Sequence, residues 1–331
     1  MASIKDVAAH AGVAISTVSK VLNNYPNISQ ETRDKVNASI DALGFVPNAV
    51  AAALSSKQAG RIALLINLAD TQQTADEISM QYMTGALAKA RELGLDVVTV
   101  FFSMLQGKTV DEIINYFRSQ SITGIIVCGM SKDDKDLMKM IKKNIFKFVL
   151  IDMPILNDHT SFVWIDQENA QYEVAKRTME LDTIPYTSVL YISGKENSYV
   201  AMERQKGIER FASDYNMKLV VENGNFSEKS AREITFKHAK DVDMIVCASD
   251  LMAIGAMRAL MDMDIFRPVC GFDGITLMGY AGKQMNTVRQ NFARIAEEAV
   301  AEMNGLLNGK EGREIVLDYD IVRMEYMDII K

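Results

Sequence analysis

From Arg61 onward the chain alternates between short unbroken apolar runs and amphipathic stretches of about 10–18 residues. The runs include Ile62–Ile66, Val97–Phe102, Ile125–Val127, Phe148–Ile151, Val189–Ile192 and Met244–Val246. Successive strand residues point to opposite faces, so a run without polar interruption predicts a strand buried on both sides of a parallel sheet. Amphipathic stretches between such strands supply the covering helices. Two sets of similar size, breaking near His159, predict two doubly wound lobes with a ligand cleft between them. The lobes are expected at about 61–159 with 291–318 and at about 160–290 with 319–331.

Residues 1–46 have a different texture, with no long strand-like run. Ser3 with Asp6 three residues later forms a capping pair, and Ile4, Val7, Ala8 and Ala11 give an apolar face ending at Gly12. A second helix is expected over about 15–23, with Val18, Val21 and Leu22 inward. A third starts at the cap Ser29, carries Thr32, Val36, Ile40 and Leu43 on one face, and stops at Gly44. Helix, glycine turn and helix is the layout of a helix-turn-helix, whose second helix enters the major groove. Pro47 and Asn48 then open a stretch, 47–60, with room for about seven helical residues, a length marginal in water on its own. We therefore expect 49–55 to fold only when two copies pair over DNA.

The 331 residues carry a formal charge of -7, which taken alone argues against a nucleic-acid partner. The distribution changes that reading. Lys5, Lys20, Arg33, Lys35 and Lys57 outnumber Asp6, Glu31, Asp34 and Asp41, so residues 1–60 stand at +1 and the rest at -8. No apolar stretch has the length of a membrane span, and no secretory pattern opens the chain, so a cytoplasmic protein is expected. Cys128, Cys247 and Cys270 read as reduced thiols at strand ends. His10, His159 and His238 stand apart from one another, and there is no Walker loop or Gly-x-Gly-x-x-Gly. Neither an enzyme nor a cofactor or metal site is expected.

The string IKDVAAHAGVAISTVSKVLNN, followed by NISQETRDKVNASIDALGFVPNAVAAAL, closely resembles the lactose/galactose-repressor (LacI/GalR) family of bacterial transcription regulators. CASDLMAIGAMRAL at 247–260, GFDG at 271–274 and NTVRQNF at 286–292 are similar to that family's effector-lobe landmarks. The resemblance implies an all-α helix-turn-helix headpiece (1–46), a hinge helix and linker (47–60), and a two-lobed periplasmic-binding-protein-like α/β domain (61–331). It implies base contacts from Ile15, Ser16 and Lys20, with Leu54 wedged into a minor-groove step. Phosphate contacts fall to Ser3, Thr17, Ser19, Asn23, Ser29 and Thr32. Two departures are plain: Ala14 stands where a capping serine is usual, and 49–53 lacks the usual arginine.

Ligands of doubly wound sheets sit at the carboxyl ends of strands, which brings forward Asp152, Ser249, Asp250 and Asp273. The resemblance adds Arg204 and the aromatic Phe292 as effector contacts, and Gln290 beside it. Capping of the following helix is the competing role, and it suits Asp250 best. Asn67–Tyr82 lacks the family's Asn-Pro-Phe-Phe entry and reads as a lengthened loop. The single tryptophan, Trp164, is expected where the chain crosses between lobes. The implied protein is a homodimeric repressor that binds a roughly palindromic operator and is controlled by a small ligand. A sugar or sugar phosphate is the default effector, a nucleobase the alternative, and a protein corepressor remains open. Outside this class stand a secreted sugar-binding receptor, which has no use for residues 1–56, and a sugar-modifying enzyme, which needs a base or nucleophile.

Overall fold

The computed structural model describes residues 3–22, 25, 27–45, 61–67, 73–180, 185–281 and 284–324, the side chains of 73–76 excepted. The chain divides into two compact units, Met1–Ala59 and Gly60–Lys331. Asn23, Leu54 and the whole 47–60 linker lie outside the described residues.

In the first unit, α1 (Ile4–Ala11), α2 (Ile15–Leu22) and α3 (Gln30–Leu43) enclose a small core of Val7, Ala8, Val18, Val21 and Val36. The Ser3–Asp6 pair closes a reciprocal capping box: Ser3 N donates to Asp6 Oδ2 at 2.8 Å, and Asp6 N donates to Ser3 Oγ at 3.4 Å. Gly12, at φ +68°, ends α1 in the left-handed conformation and turns the chain into α2.

The second unit holds two six-stranded sheets. Its first half contains β1 (Arg61–Ile66), α4 (Gln73–Leu93), β2 (Val97–Phe101), α5 (Val110–Ser119), β3 (Ile122–Cys128), α6 (Lys135–Lys142), β4 (Lys147–Ile151) and β5 (Thr160–Ile165). Next come α7 (Gln167–Met179), β6 (Ser188–Ser193), α8 (Tyr199–Asp214), β7 (Lys218–Asn223), α9 (Glu228–His238), β8 (Met244–Cys247), α10 (Asp250–Asp262), β9 (Val269–Asp273) and β10 (Met285–Arg289). The chain returns through α11 (Phe292–Leu307) to β11 (Glu314–Leu317) and β12 (Asp320–Met324). The first sheet has the order β11-β5-β4-β3-β1-β2 and the second β12-β10-β9-β8-β6-β7, with β12 alone antiparallel to its neighbour.

The apolar runs do what their patterning requires. In β1, Ile62, Leu64 and Ile66 enter one core while Ala63 and Leu65 enter the core on the opposite face. The break near His159 is one strand early. Thr160–Ile165 pairs parallel with β4 inside the first sheet, so the first crossing follows Ile165. Thr160 and Ser161 disguised this strand. Both are buried, and Ser161 Oγ donates to the buried Glu302 carboxylate at 2.9 Å, which Arg313 Nε also reaches at 2.8 Å. Trp164 therefore lies at the end of the last strand before that crossing, one residue short of it, with its indole N–H on Glu314 at 2.9 Å. After β10 the chain passes from the second sheet to β11 of the first, and then back to β12 of the second. From Gln73 onward the expected loop 67–82 is helix α4. No helix among the described residues is long and apolar enough to cross a membrane. The three cysteines are free and buried.

Candidate functional site

On the headpiece, α2 turns Val18 and Val21 into the core and leaves Ile15, Ser16 and Lys20 exposed, with Thr17 and Ser19 half-buried beside them. Ile15, at the helix start, is 44 % exposed. Ser3 caps α1, and Ser29 caps α3 by accepting from Thr32 N at 3.4 Å while its hydroxyl meets Thr32 Oγ1 at 2.8 Å. These three therefore sit at helix N-termini, where backbone N–H groups favour anions.

In the second unit, a cavity of about 500 Å³ opens between the two sheets. Its wall is built from strand ends: Ile66, Cys128 and Ile151 from the first sheet, Asp273 and Gln290 from the second. Asp152 and Asp273 sit at φ +62° and +118°, conformations that L residues adopt at a cost and that a surrounding structure must enforce. Both open onto the cavity.

Arg204, 4 % exposed on α8, organises this wall. Its Nε donates to Gln167 Oε1 at 2.8 Å, and its Nη1 donates to the Ala248 carbonyl at 2.6 Å and to Asp273 Oδ1 at 3.3 Å. The guanidinium lies 3.6 Å from the Phe272 ring centroid. Gln167 Nε2 passes the link on to Asp152 Oδ1 at 3.0 Å, and Gln290 Nε2 donates to Asp273 Oδ1 at 3.2 Å. Withdrawal from water pushes the Asp152 carboxyl up to about 6, against the pull of Arg204 and the donors Gln167 and Tyr82. The same withdrawal pushes Asp273 up to about 6, with Arg204 again opposing and Asp152 adding to the rise. Gln290 Oε1 is buried and has no hydrogen-bond partner among the described residues.

Aromatic rings close the cavity. Phe292 packs edge-on to Tyr82 at 5.4 Å, and Tyr199 and Phe226 line it from the second lobe. Gly194 makes room for the Phe226 ring, since a Cβ there would stand 2.0 Å from it. Tyr82, Gln167, Tyr199 and Phe226 were missed in the sequence. The strand-end rule reaches Phe226 once β7 is recognised, but Gln167 and the tyrosines carry no sequence mark.

The cavity thus brings together Asp152, Arg204, Asp273, Gln290 and Phe292, and Ser249 is not among its lining residues. Ser249, not Asp250, is the helix cap, and Asp250 has a different structural role. Ser249 is the cap of α10, accepting from Met252 N at 3.4 Å. Asp250 braces the turn after β9, accepting from Gly274 N at 2.7 Å and Ile275 N at 2.9 Å, while Thr287 Oγ1 donates to its other oxygen at 2.5 Å. The Ser249 hydroxyl is engaged by its own helix rather than placed on the cavity wall.

Comparison with known proteins agrees with this arrangement. The family model for bacterial regulatory proteins of the lacI family matches residues 3–48, and that for the periplasmic binding protein domain matches 71–311. The regulator MalR of Clostridium butyricum is 24 % identical, covering 98 % of this chain and 98 % of its own. Catabolite control protein A of Staphylococcus epidermidis is 27 % identical over 93 % of both. Among solved structures, the Lac repressor dimer bound to operator and the anti-inducer ONPF superposes with a TM-score of 0.81 at 21 % identity, covering 97 % of this chain and 98 % of that one. A complex of the regulator CelR with cellobiose gives 0.71 at 23 % identity, covering 98 % and 100 %. The chain belongs to the LacI family of bacterial regulatory proteins, and it is a DNA-binding regulator of transcription rather than an enzyme.

Proposed function

We propose that this regulator is a homodimeric repressor acting in the cytoplasm, whose grip on a roughly palindromic operator is set by a neutral carbohydrate bound between its lobes. The observation that carries the ligand reading is the polar wall of Arg204, Asp152, Asp273 and Gln290 facing aromatic rings. Two carboxylates accept from sugar hydroxyls, the free Gln290 Oε1 accepts a further one, and Tyr82, Phe292, Tyr199 and Phe226 cover the apolar face of a pyranose. A sugar phosphate fits less well. The Arg204 guanidinium is already engaged by three acceptors, and two carboxylates would face the added anion. The cellobiose complex of CelR supports the same class of ligand.

Residues 1–46 serve as the headpiece, 47–60 as the hinge and 61–331 as the effector and dimerisation domain. Ile15, Ser16 and Lys20 read bases, with Leu54 from the hinge. Ser3, Thr17, Ser19, Asn23, Ser29 and Thr32 hold phosphates. The exposed apolar residues Met80 and Leu87 on α4, with Leu277 and Tyr280 of the second lobe, supply surface for a second copy, and the operator-bound Lac repressor is itself a dimer. Effector and operator then influence each other reciprocally through lobe orientation. A calorimetric panel of neutral mono- and disaccharides, sugar phosphates and purine bases tests the ligand class. A neutral saccharide binds the native chain and not Arg204→Met. Binding confined to phosphates or purines would replace the carbohydrate reading.

A further inference from the structure

Besides the Gln167–Asp152 link inside the cavity, polar contacts cross the cleft on each rim. On the first rim, the Glu77 carboxylate of α4 reaches the second lobe. It accepts from Thr276 N at 3.1 and 3.2 Å and from Thr276 Oγ1 at 2.8 Å. Thr276 opens a 3-10 helix, Thr276–Tyr280, whose own cap residue Ile275 offers no side-chain hydrogen bond. The cap is supplied instead by the opposite lobe. On the second rim, Lys132 N donates to the Asn197 carbonyl at 2.9 Å, and Asn197 Nδ2 donates to Asp133 Oδ2 at 2.7 Å.

Thr276 stands three residues beyond Asp273. The intervening Gly274 and Ile275 amides are pinned by Asp250, and Gly274 has φ +74° with no space for a side chain against Arg289. Asp273, Asp250 and Thr276 are therefore held in one short braced turn. A shift at the cavity face of that turn is delivered to its rim.

We propose that Glu77 and Thr276 form a closure latch, a cap made across the lobes when they meet over the cleft and lost when they part. Being a carboxylate on two donors at a solvent-facing rim, the latch is weak enough to open thermally and strong enough to bias the closed state. A ligand on Asp273 steadies the turn that presents Thr276, so occupancy and closure reinforce each other. This proposal rests on the reading that the lobes close over an effector, but its test needs none.

The test is amide hydrogen exchange on the full-length, ligand-free protein, comparing native chain, Glu77→Ala, Glu77→Gln and Thr276→Val. The latch predicts that Glu77→Ala accelerates exchange about three- to tenfold at Thr276 and also at Lys132 on the opposite rim, because losing one latch parts both rims. Glu77→Gln, which keeps one acceptor, gives a smaller acceleration at both sites. Thr276→Val, which keeps the amide and loses the hydroxyl, falls between native and Glu77→Ala at Lys132. Acceleration at Thr276 with Lys132 unchanged would overturn the latch and leave a local helix cap. Unchanged exchange at both sites would show that the contact carries nothing. Failure to find a carbohydrate ligand would bear on the preceding reading and leave this outcome as it stands.

Discussion

Arg204 and Asp273 form a salt bridge of 3.3 Å in which the side chains are 4 % and 14 % exposed, directly beneath the cavity. A pair so shielded costs both partners hydration, and only its further hydrogen bonds make it tolerable. Arg204→Met therefore leaves two carboxylates without their cation. The expected loss is roughly 3 kcal/mol in denaturant unfolding at pH 8, shrinking at pH 5 as those carboxylates take up protons. Arg204→Lys does not restore ligand binding, since an ammonium cannot span Gln167, Ala248 and Asp273 as a planar fork does.

The raised carboxyls set a pH dependence of definite sign. Asp152 and Asp273 sit near 6 when folded and near 3.8 in the ordinary state, so the folded chain binds more protons between those values. Stability of the ligand-free protein falls as pH rises from about 4 to above 6, by on the order of 2–3 kcal/mol for Asp152. Asp152→Asn flattens that slope in a series of urea titrations. A saccharide that needs the ionised acceptors binds more tightly at pH 7.5 than at 5.

The separate structural roles of Ser249 and Asp250 predict unequal costs. Ser249→Ala removes one cap bond and costs about 1 kcal/mol. Asp250→Ala strands the buried Ile275 N–H, the Thr287 hydroxyl and the half-buried Gly274 N–H together. It costs about 3 kcal/mol or more, and it weakens ligand binding by releasing the turn that carries Asp273. Equal destabilisation of the two variants would contradict the assignment.

On the headpiece, Lys20→Ala lowers operator affinity by about 1–3 kcal/mol and relaxes base preference at one position of each half-site. Ser29→Ala instead weakens binding evenly across sequences and lowers headpiece stability by about 1 kcal/mol. Competition assays with single-base operator variants separate the two patterns.

Much of this architecture is legible in residues such as Ile62–Ile66, whose unbroken apolar run admits a doubly buried strand and little else. Thr160–Ile165 is not, because its buried Ser161 is satisfied by Glu302 and Arg313, partners about 140–150 residues away that no local pattern announces. The lobe boundary moved for that reason. Within the site, Asp273 and Arg204 were reachable from strand ends and family resemblance. The division of labour between Ser249 and Asp250 was not, since adjacent polar residues before a helix are interchangeable until the turn at Gly274 is in place. Tyr82, Tyr199 and Phe226 were hidden by resembling ordinary core aromatics.

A ligand in this cleft is expected to control binding to DNA. The most direct measurement selects binding sequences from random duplexes with the full-length protein, then titrates the selected duplex with and without the saccharide found by calorimetry. The expected result is a roughly palindromic sequence whose affinity changes at least about tenfold with the saccharide, with no change for Arg204→Met. A selected sequence whose affinity is the same at every concentration of a bound saccharide would contradict it.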